Sequence, residues 1–271
     1  MALALGDGFR DGEVAFLFPG QGAQYPDMGR EAALYLPALR AAIEAADRAL
    51  LGKLPKRLSQ YIHPPAAFTD EALEAQKAEI TDTKIAQPAI GTLSLGFLDF
   101  VRGLGLKASM TAGHSYGELT ALYAAGCLSQ DDFFTLSGLR GHVMANACNA
   151  EVKGTMAVTR AARADIEAAL ADHPGVILAN HNGPQQTVVS GPVDAVKAFA
   201  AALAAKGVDA RLLPVAGAFH SPLMAPIKAD LDNGIAAVAF GEEQAKVFSN
   251  TTGGRYPEAG EEKRRILMDH L

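Results

Sequence analysis

An apolar run closing at Ala112 leads straight into Gly113-His114-Ser115-Tyr116-Gly117, a serine set between two glycines. This stretch constrains the chain most, because it fits a specific geometry: a strand turning sharply into a helix with a serine hydroxyl at the tip. A side chain on either glycine would obstruct that turn. The pentapeptide by itself suits an ordinary glycine-rich turn about as well. Its flanks favour the elbow, since Ser109 to Ala112 reads as a strand end and Glu118 to Ala125 as a helix.

An elbow of this kind needs a buried sheet, and Val14-Ala15-Phe16-Leu17-Phe18 is a continuous apolar run suited to a strand covered on both faces. Pro19-Gly20-Gln21-Gly22-Ala23-Gln24 ends it. Arg30 to Leu51 has helical spacing in an Ala/Leu/Glu/Arg-rich segment, interrupted only by Pro37, and Pro55 to Thr69 reads as irregular. Asp82 to Gly103 predicts a long apolar helix with Pro88 in its first turn, where a missing N–H costs little. Ser129-Gln130-Asp131-Asp132 resembles a capped start for a helix running through Arg140 to Asn146.

The character changes near Glu151. Thr155–Thr159, Val176–Asn180, Thr187–Ser190 and Ala210–Val215 read as strands, with helices over Arg163–Asp172 and Asp194–Lys206. That order, βαββαβ, is the ferredoxin-like split pattern. Val247 to Asn250 predicts a further strand of the first sheet, and Arg264 to Leu271 the start of a helix that the chain leaves unfinished, as a truncated end would. The expected fold is α/β: a large α/β-hydrolase-like domain, residues 14–150 and 217–271, with a small ferredoxin-like α+β domain, residues 151–216, inserted into it. Residues 1–13 read as a linker.

With 271 residues, 49% of them hydrophobic, the chain can bury a full core. A net charge of −6 without any Lys/Arg-rich run argues against a nucleic-acid surface. Gly, Ser or a charge interrupts every apolar run before membrane-spanning length, and the first residues lack a signal-peptide core. Cys127 and Cys148 have no metal or redox spacing and read as core thiols of a reducing compartment. Together these predict a soluble cytoplasmic protein with no bound metal.

A serine nucleophile needs a base. Of the seven histidines, His114 lies inside the elbow and is expected to point away from the hydroxyl, His63 and His173 sit beside prolines, and His142 lies on a helix. The candidate is His220 in Gly217-Ala218-Phe219-His220-Ser221-Pro222, a loop after a strand, in the Ser-then-His order of α/β serine enzymes. No acidic residue in a comparable loop completes a triad, unlike an ordinary hydrolase.

Five stretches then occur in a family order: Phe18-Pro19-Gly20-Gln21-Gly22-Ala23-Gln24, Gly113-His114-Ser115-Tyr116-Gly117-Glu118, Leu139-Arg140-Gly141, Asn182-Gly183-Pro184-Gln185-Gln186 and Ala218-Phe219-His220-Ser221-Pro222-Leu223-Met224. In these the chain resembles malonyl-CoA:acyl carrier protein transacylases and the acyltransferase domains of polyketide synthases. Tyr116, where most of that family has Leu, looks closer to iterative polyunsaturated-fatty-acid and enediyne synthases.

The resemblance implies a Ser115–His220 dyad that moves a malonyl group from coenzyme A to the phosphopantetheine thiol of an acyl carrier protein, with no cofactor of its own. It also implies an oxyanion site at the backbone N–H groups of Gln21 and Tyr116. Arg140 would grip the malonyl carboxylate through paired hydrogen bonds; outside the motif it would read as a surface helix arginine. Phe219 would favour malonyl over methylmalonyl. His270 falls near the glutamine with which many relatives orient the base. Asn182 is implied either to touch the pantetheine arm or only to cap a turn. Two other readings stand beside this one: a serine hydrolase or thioesterase on the same elbow, and a non-catalytic docking domain of a multienzyme synthase. A hydrolase has no general need of Arg140, and a scaffold needs none of the three residues.

Overall fold

The computed structural model describes residues 12–147, 153–213, 215 and 217–270. Strand β1 (Ala15–Phe18) is followed by helices α1 (Arg30–Tyr35) and α2 (Pro37–Ala49). Pro37 splits the segment that reads as one helix. It opens α2 at a first-turn position, where its missing N–H has no intrahelical partner to lose. Within the stretch expected to be irregular, Ser59–Ile62 forms a single turn, α3. Helix α4 (Asp70–Thr81) carries its own start signal: Thr69 Oγ1 accepts the Ala72 N–H at 3.2 Å, with Asp70 and Glu71 in the first turn against the helix dipole.

Helix α5 (Thr83–Gly103) is capped by the Asp82 carboxylate and is buried along most of its length between α2 and the later helix over Gln130–Ala147. Pro88 lies in its interior, not its first turn as expected. Packing of Ile85, Ala86, Ala89 and Ile90 into the core holds the helix through the lost backbone bond.

Next come β2 (Met110–Gly113), α6 (Gly117–Ala124) and α7 (Gln130–Ala147). Ser129 caps α7 as expected, its Oγ accepting the Asp132 N–H and donating to the Asp132 carboxylate. Strands β3 (Gly154–Thr159), β4 (Ile177–Gly183), β5 (Gln186–Pro192) and β6 (Ala210–Leu212) alternate with α8 (Arg163–Leu170) and α9 (Val193–Ala205) in the order βαββαβ. They form an antiparallel sheet in the order β4-β5-β3-β6. Ala157, Val189, Ile166, Phe199 and Leu203 make a separate core between this sheet and its helices. Strand β6 ends at Leu212, short of the expected Val215.

The chain closes with a 3-10 turn over Pro222–Met224, α10 (Ala225–Ala236), β7 (Lys246–Phe248) and α11 (Gly260–Met268). Strand β7 stops before Asn250. Helix α11 begins before the expected Arg264 and is complete at Met268, so the helix does not run off the chain end as expected. The first sheet is parallel, in the order β1-β2-β7, with Phe18 opposite Gly113 and Ala112 opposite Phe248. Strand β2 is central, so the turn after Gly113 leaves from the carboxyl ends of the strands, where open α/β sheets bind ligands. No described helix is long and apolar enough to cross a membrane. Cys127 is buried with a free thiol, while Cys148 and the residue 150/151 boundary lie outside the described residues.

Candidate active site

The elbow forms because glycine flanks it. A Cβ on Gly113 would fall 1.9 Å from the Gly117 carbonyl carbon, and one on Gly117 would fall 2.3 Å from the Phe18 carbonyl oxygen. Both obstacles are main chain and cannot swing aside. Gly117→Ala is therefore expected to lower stability by about 3 kcal/mol or more. A thermal unfolding curve within a degree of wild type would refute this. Ser115 itself has φ 48° and His220 φ 57°. Left-handed backbone at non-glycine residues costs on the order of 1–3 kcal/mol each and collects at functional sites.

These two strained residues meet. Ser115 Oγ lies 3.2 Å from His220 Nε2, and His220 Nδ1 lies 3.0 Å from the main-chain oxygen of His270. A carbonyl only accepts, so Nδ1 carries the proton and Nε2 faces the serine as an acceptor. His270 thus reaches His220 through its backbone. Its ring stacks against His220 at 5.5 Å between centroids.

Burial first, then the His270 and Arg140 charges, pull the His220 pKa down to about 3. His270 is likewise lowered to about 3 by burial, then by Arg140 and His114. Both rings are neutral at pH 7. In the unfolded chain they titrate near 6.5, so between about pH 6.5 and 3 the unfolded state binds more protons. Their contribution to stability is present above the unfolded pKa and is lost as pH falls through this window. Urea unfolding at pH 7, 5.5 and 4.5 should show that loss, and His220→Gln/His270→Gln should flatten it; an equal slope in the variant would remove these rings as the cause.

Arg140, on α7, is buried, and its Nη2 donates to Ser115 Oγ at 3.4 Å. Its Nη1 is buried with no hydrogen-bond partner among the described residues. Burial lowers its pKa to about 10, which leaves it charged at neutral pH. The Tyr116 ring lies 6.0 Å beneath the guanidinium, and the Tyr116 hydroxyl is tied to Ser137 Oγ at 2.6 Å. Around Ser115 and Arg140 the small enclosed pocket is lined by leucines and Ile235. A buried charge only partly paired among the described residues is costly, and an anion placed here would offset that cost.

The elbow carbonyls of His114, Ser115 and Tyr116 accept the first N–H groups of α6. The backbone N–H groups of Gln21 and Tyr116 have no partner among the described residues. Gln21 is held by its side chain, which donates to Thr83 Oγ1 at 3.1 Å and accepts from Gln87 at 3.3 Å. A cleft of about 420 Å³ opens on Ser115 and His220 between the two sheets, with Gln21, Asn182, Phe219 and Met156 among its walls. Phe219 is buried against Met144, Met156, Val188 and Met224. Asn182, at the end of β4, bonds His114 Nε2 at 3.0 Å and so links the second sheet to the elbow.

A family model described as "Acyl transferase domain" matches residues 15–263. The chain belongs to that family. A polyunsaturated fatty acid synthase polypeptide of Thraustochytrium sp. is 35% identical over 96% of this acyltransferase, which spans 9% of that protein's length. Malonyl CoA-acyl carrier protein transacylase of Bacillus subtilis is 33% identical over 94% of the chain, which spans 78% of it. A malonyl-transacylase solved in complex with a type II polyketide-synthase acyl-carrier protein superposes with a TM-score of 0.85 at 28% identity, over 96% of this chain and 81% of that one.

In this acyltransferase the site residues named from the sequence gather within one region, and three residues that the sequence does not mark stand beside them. Asn250 Oδ1 accepts the Ser115 N–H, Glu118 accepts from the Asn250 N–H at 2.7 Å, and the Tyr256 hydroxyl donates to Glu118. Burial raises the Glu118 pKa, and the donors from Tyr256 and Asn250 oppose that rise. Glu118 stood in the elbow motif without a role. The sequence marks Asn250 only as a strand residue, and nothing local in it marks Tyr256 as its neighbour.

Proposed function

We propose that this domain moves a malonyl group from coenzyme A, through an acyl-enzyme on Ser115, to the phosphopantetheine thiol of an acyl carrier protein in fatty acid or polyketide synthesis. The observation that carries the reading is the buried Arg140, half unpaired, within 3.4 Å of the nucleophile. A guanidinium there can hold a carboxylate through paired hydrogen bonds and set the adjoining thioester against Ser115. The names of the relatives agree with this donor and acceptor.

The proposed mechanism is a ping-pong dyad. Ser115 Oγ passes its proton to His220 Nε2 and attacks the thioester carbonyl. The oxyanion forms against the backbone N–H groups of Gln21 and Tyr116. Removing one such donor costs about 2.7–4 kcal/mol in a serine enzyme. Collapse breaks the carbon–sulfur bond, and the departing thiolate takes the proton from His220. The carrier thiol then repeats these steps in reverse. A malonyl carboxylate on Arg140 cancels one of the charges that depress the His220 pKa, so the base strengthens as substrate arrives.

Phe219 would crowd an α-methyl branch, a selection worth about 1–3 kcal/mol. Asn182 would hold His114 at the cleft wall and meet the pantetheine arm. The division proposed for the chain is residues 14–150 with 217–271 as a large domain and 151–216 as an inserted ferredoxin-like domain. The cleft lies between them, with Asn182 contributed by the smaller.

Intact-protein mass spectrometry after brief mixing with malonyl-CoA tests the reading. An adduct that maps to Ser115 and disappears on addition of a carrier protein is expected. Steady malonate release without carrier would make the domain a hydrolase, and absence of any adduct would make it a docking module.

A further inference from the structure

The ladder between β2 and β7 ends at the pair Ala112 and Phe248, one residue short of Gly113. Asn250 stands where that ladder has stopped. Its Oδ1 accepts the Ser115 N–H at 3.2 Å and its Nδ2 donates to the Gly113 carbonyl at 2.6 Å. The side-chain amide therefore spans the main-chain groups on either side of His114, where extended strand gives way to left-handed serine. It offers the same donor and acceptor pair that a further residue of strand would have offered.

The orientation of that amide is set by Glu118. The carboxylate is fully buried, accepts the Asn250 backbone N–H at 2.7 Å, and touches Nδ2. A carboxylate only accepts, so Nδ2 must face it, leaving Oδ1 for Ser115. Tyr256 secures the other carboxylate oxygen. Glu118 Oε2 also lies 3.7 Å from Nε2 of His270, whose main-chain carbonyl orients His220.

We propose that Asn250, oriented by the buried Glu118, is a positioning residue for the nucleophile: it holds the Ser115 main chain in its left-handed conformation and occupies its N–H. The Tyr116 N–H is thereby the elbow donor left open to an oxyanion. Of the function proposed above, this requires only that Ser115 reacts.

The test uses the full chain as wild type, Asn250→Ala and Glu118→Gln, with a fluorophosphonate ester as the probe. Ser115 Oγ displaces fluoride from phosphorus and His220 takes the proton, so neither coenzyme A nor Arg140 is needed. Asn250→Ala should lower the maximal phosphonylation rate about 30-fold, within the range that small misplacements cost. The probe's binding constant and the KM for malonyl-CoA should stay unchanged, and kcat should fall in parallel. Glu118→Gln keeps the size and an acceptor but lets the Asn250 amide turn over, and should show the same split with a smaller loss of roughly 10-fold.

A folded Asn250→Ala that reacts at the wild-type rate overturns the proposal, as does a variant whose loss matches only its unfolded fraction. Should Asn250→Ala fail to fold, a wild-type rate in folded Glu118→Gln overturns it equally. Wild type that reacts with the probe but takes no malonyl group would refute the substrate assignment alone.

Discussion

Ser115→Ala is expected to take no malonyl adduct and to lower single-turnover transfer by about 10⁴-fold or more, and His220→Ala should cost about as much. In serine enzymes the nucleophile and its base act as one unit, so losing either can approach the cost of losing the whole catalytic set. The geometry predicts the same non-additivity here. Ser115 Oγ has His220 Nε2 at 3.2 Å; its other partner, Arg140 Nη2, only donates, so among the described residues no second group bonded to Ser115 Oγ can take its proton. The double variant should therefore be no slower than the worse single one. A further tenfold loss in the double variant would show the two acting independently and dissolve the dyad.

The same exchange reports on strain. Ser115 sits at φ 48°, where glycine is at ease and alanine is not. Ser115→Gly should thus be more stable than Ser115→Ala by about 1 kcal/mol, although both are inactive. Equal unfolding midpoints would mean that the surrounding contacts, not the backbone, carry the cost of the turn.

What could be read in the sequence follows how far each signal reaches along the chain. The elbow was legible because its constraint is steric and local, and glycine at 113 and 117 answers carbonyls within the turn or one strand away. The βαββαβ order was legible because alternating short strands and Ala-rich helices announce themselves by period. Pro88 departs from expectation for the opposite reason. Propensity puts proline at a helix start, whereas burial of α5 on two sides keeps the helix going through it. Helix α4 is hard to read although Thr69-Asp70-Glu71 is an ordinary start signal, because its apolar face is sparse and only Ile80 is buried.

The site divides in the same way. Ser115 and His220 could be proposed from chain order and loop context. Glu118 and Asn250 lie 132 positions apart in the chain, and their contact is a product of β7 pairing beside β2. His270 could be placed near the base but not given its atom. The work falls to its carbonyl, which any residue would supply, so the side chain there carries no sequence signal for that role.

Arg140→Ala is expected to lower kcat/KM for malonyl-CoA by roughly 10²–10³-fold and to leave acetyl-CoA nearly unaffected. Hydrogen bonds to charged groups contribute about 1.5–3 kcal/mol each, and a malonyl carboxylate can take two from one guanidinium. An acetyl group offers nothing to that charge. Arg140→Lys should recover little, because an ammonium cannot reproduce the planar fork. Two side effects follow from the free site. Nη1 is desolvated with no partner among the described residues, so replacing the charge by an apolar side chain of similar size, Arg140→Met, should raise thermal stability. Arg140 also helps depress the His220 pKa, so in the variant that pKa moves up towards the ordinary imidazole value. The base is then protonated at a higher pH, and the acid limb of the acetyl-transfer profile shifts upward. A clamp predicts the selectivity change, the stability gain and the shifted limb together. Equal losses for malonyl and acetyl substrates, with stability falling, would make Arg140 a structural residue of α7 and remove the ground for choosing a dicarboxylic donor.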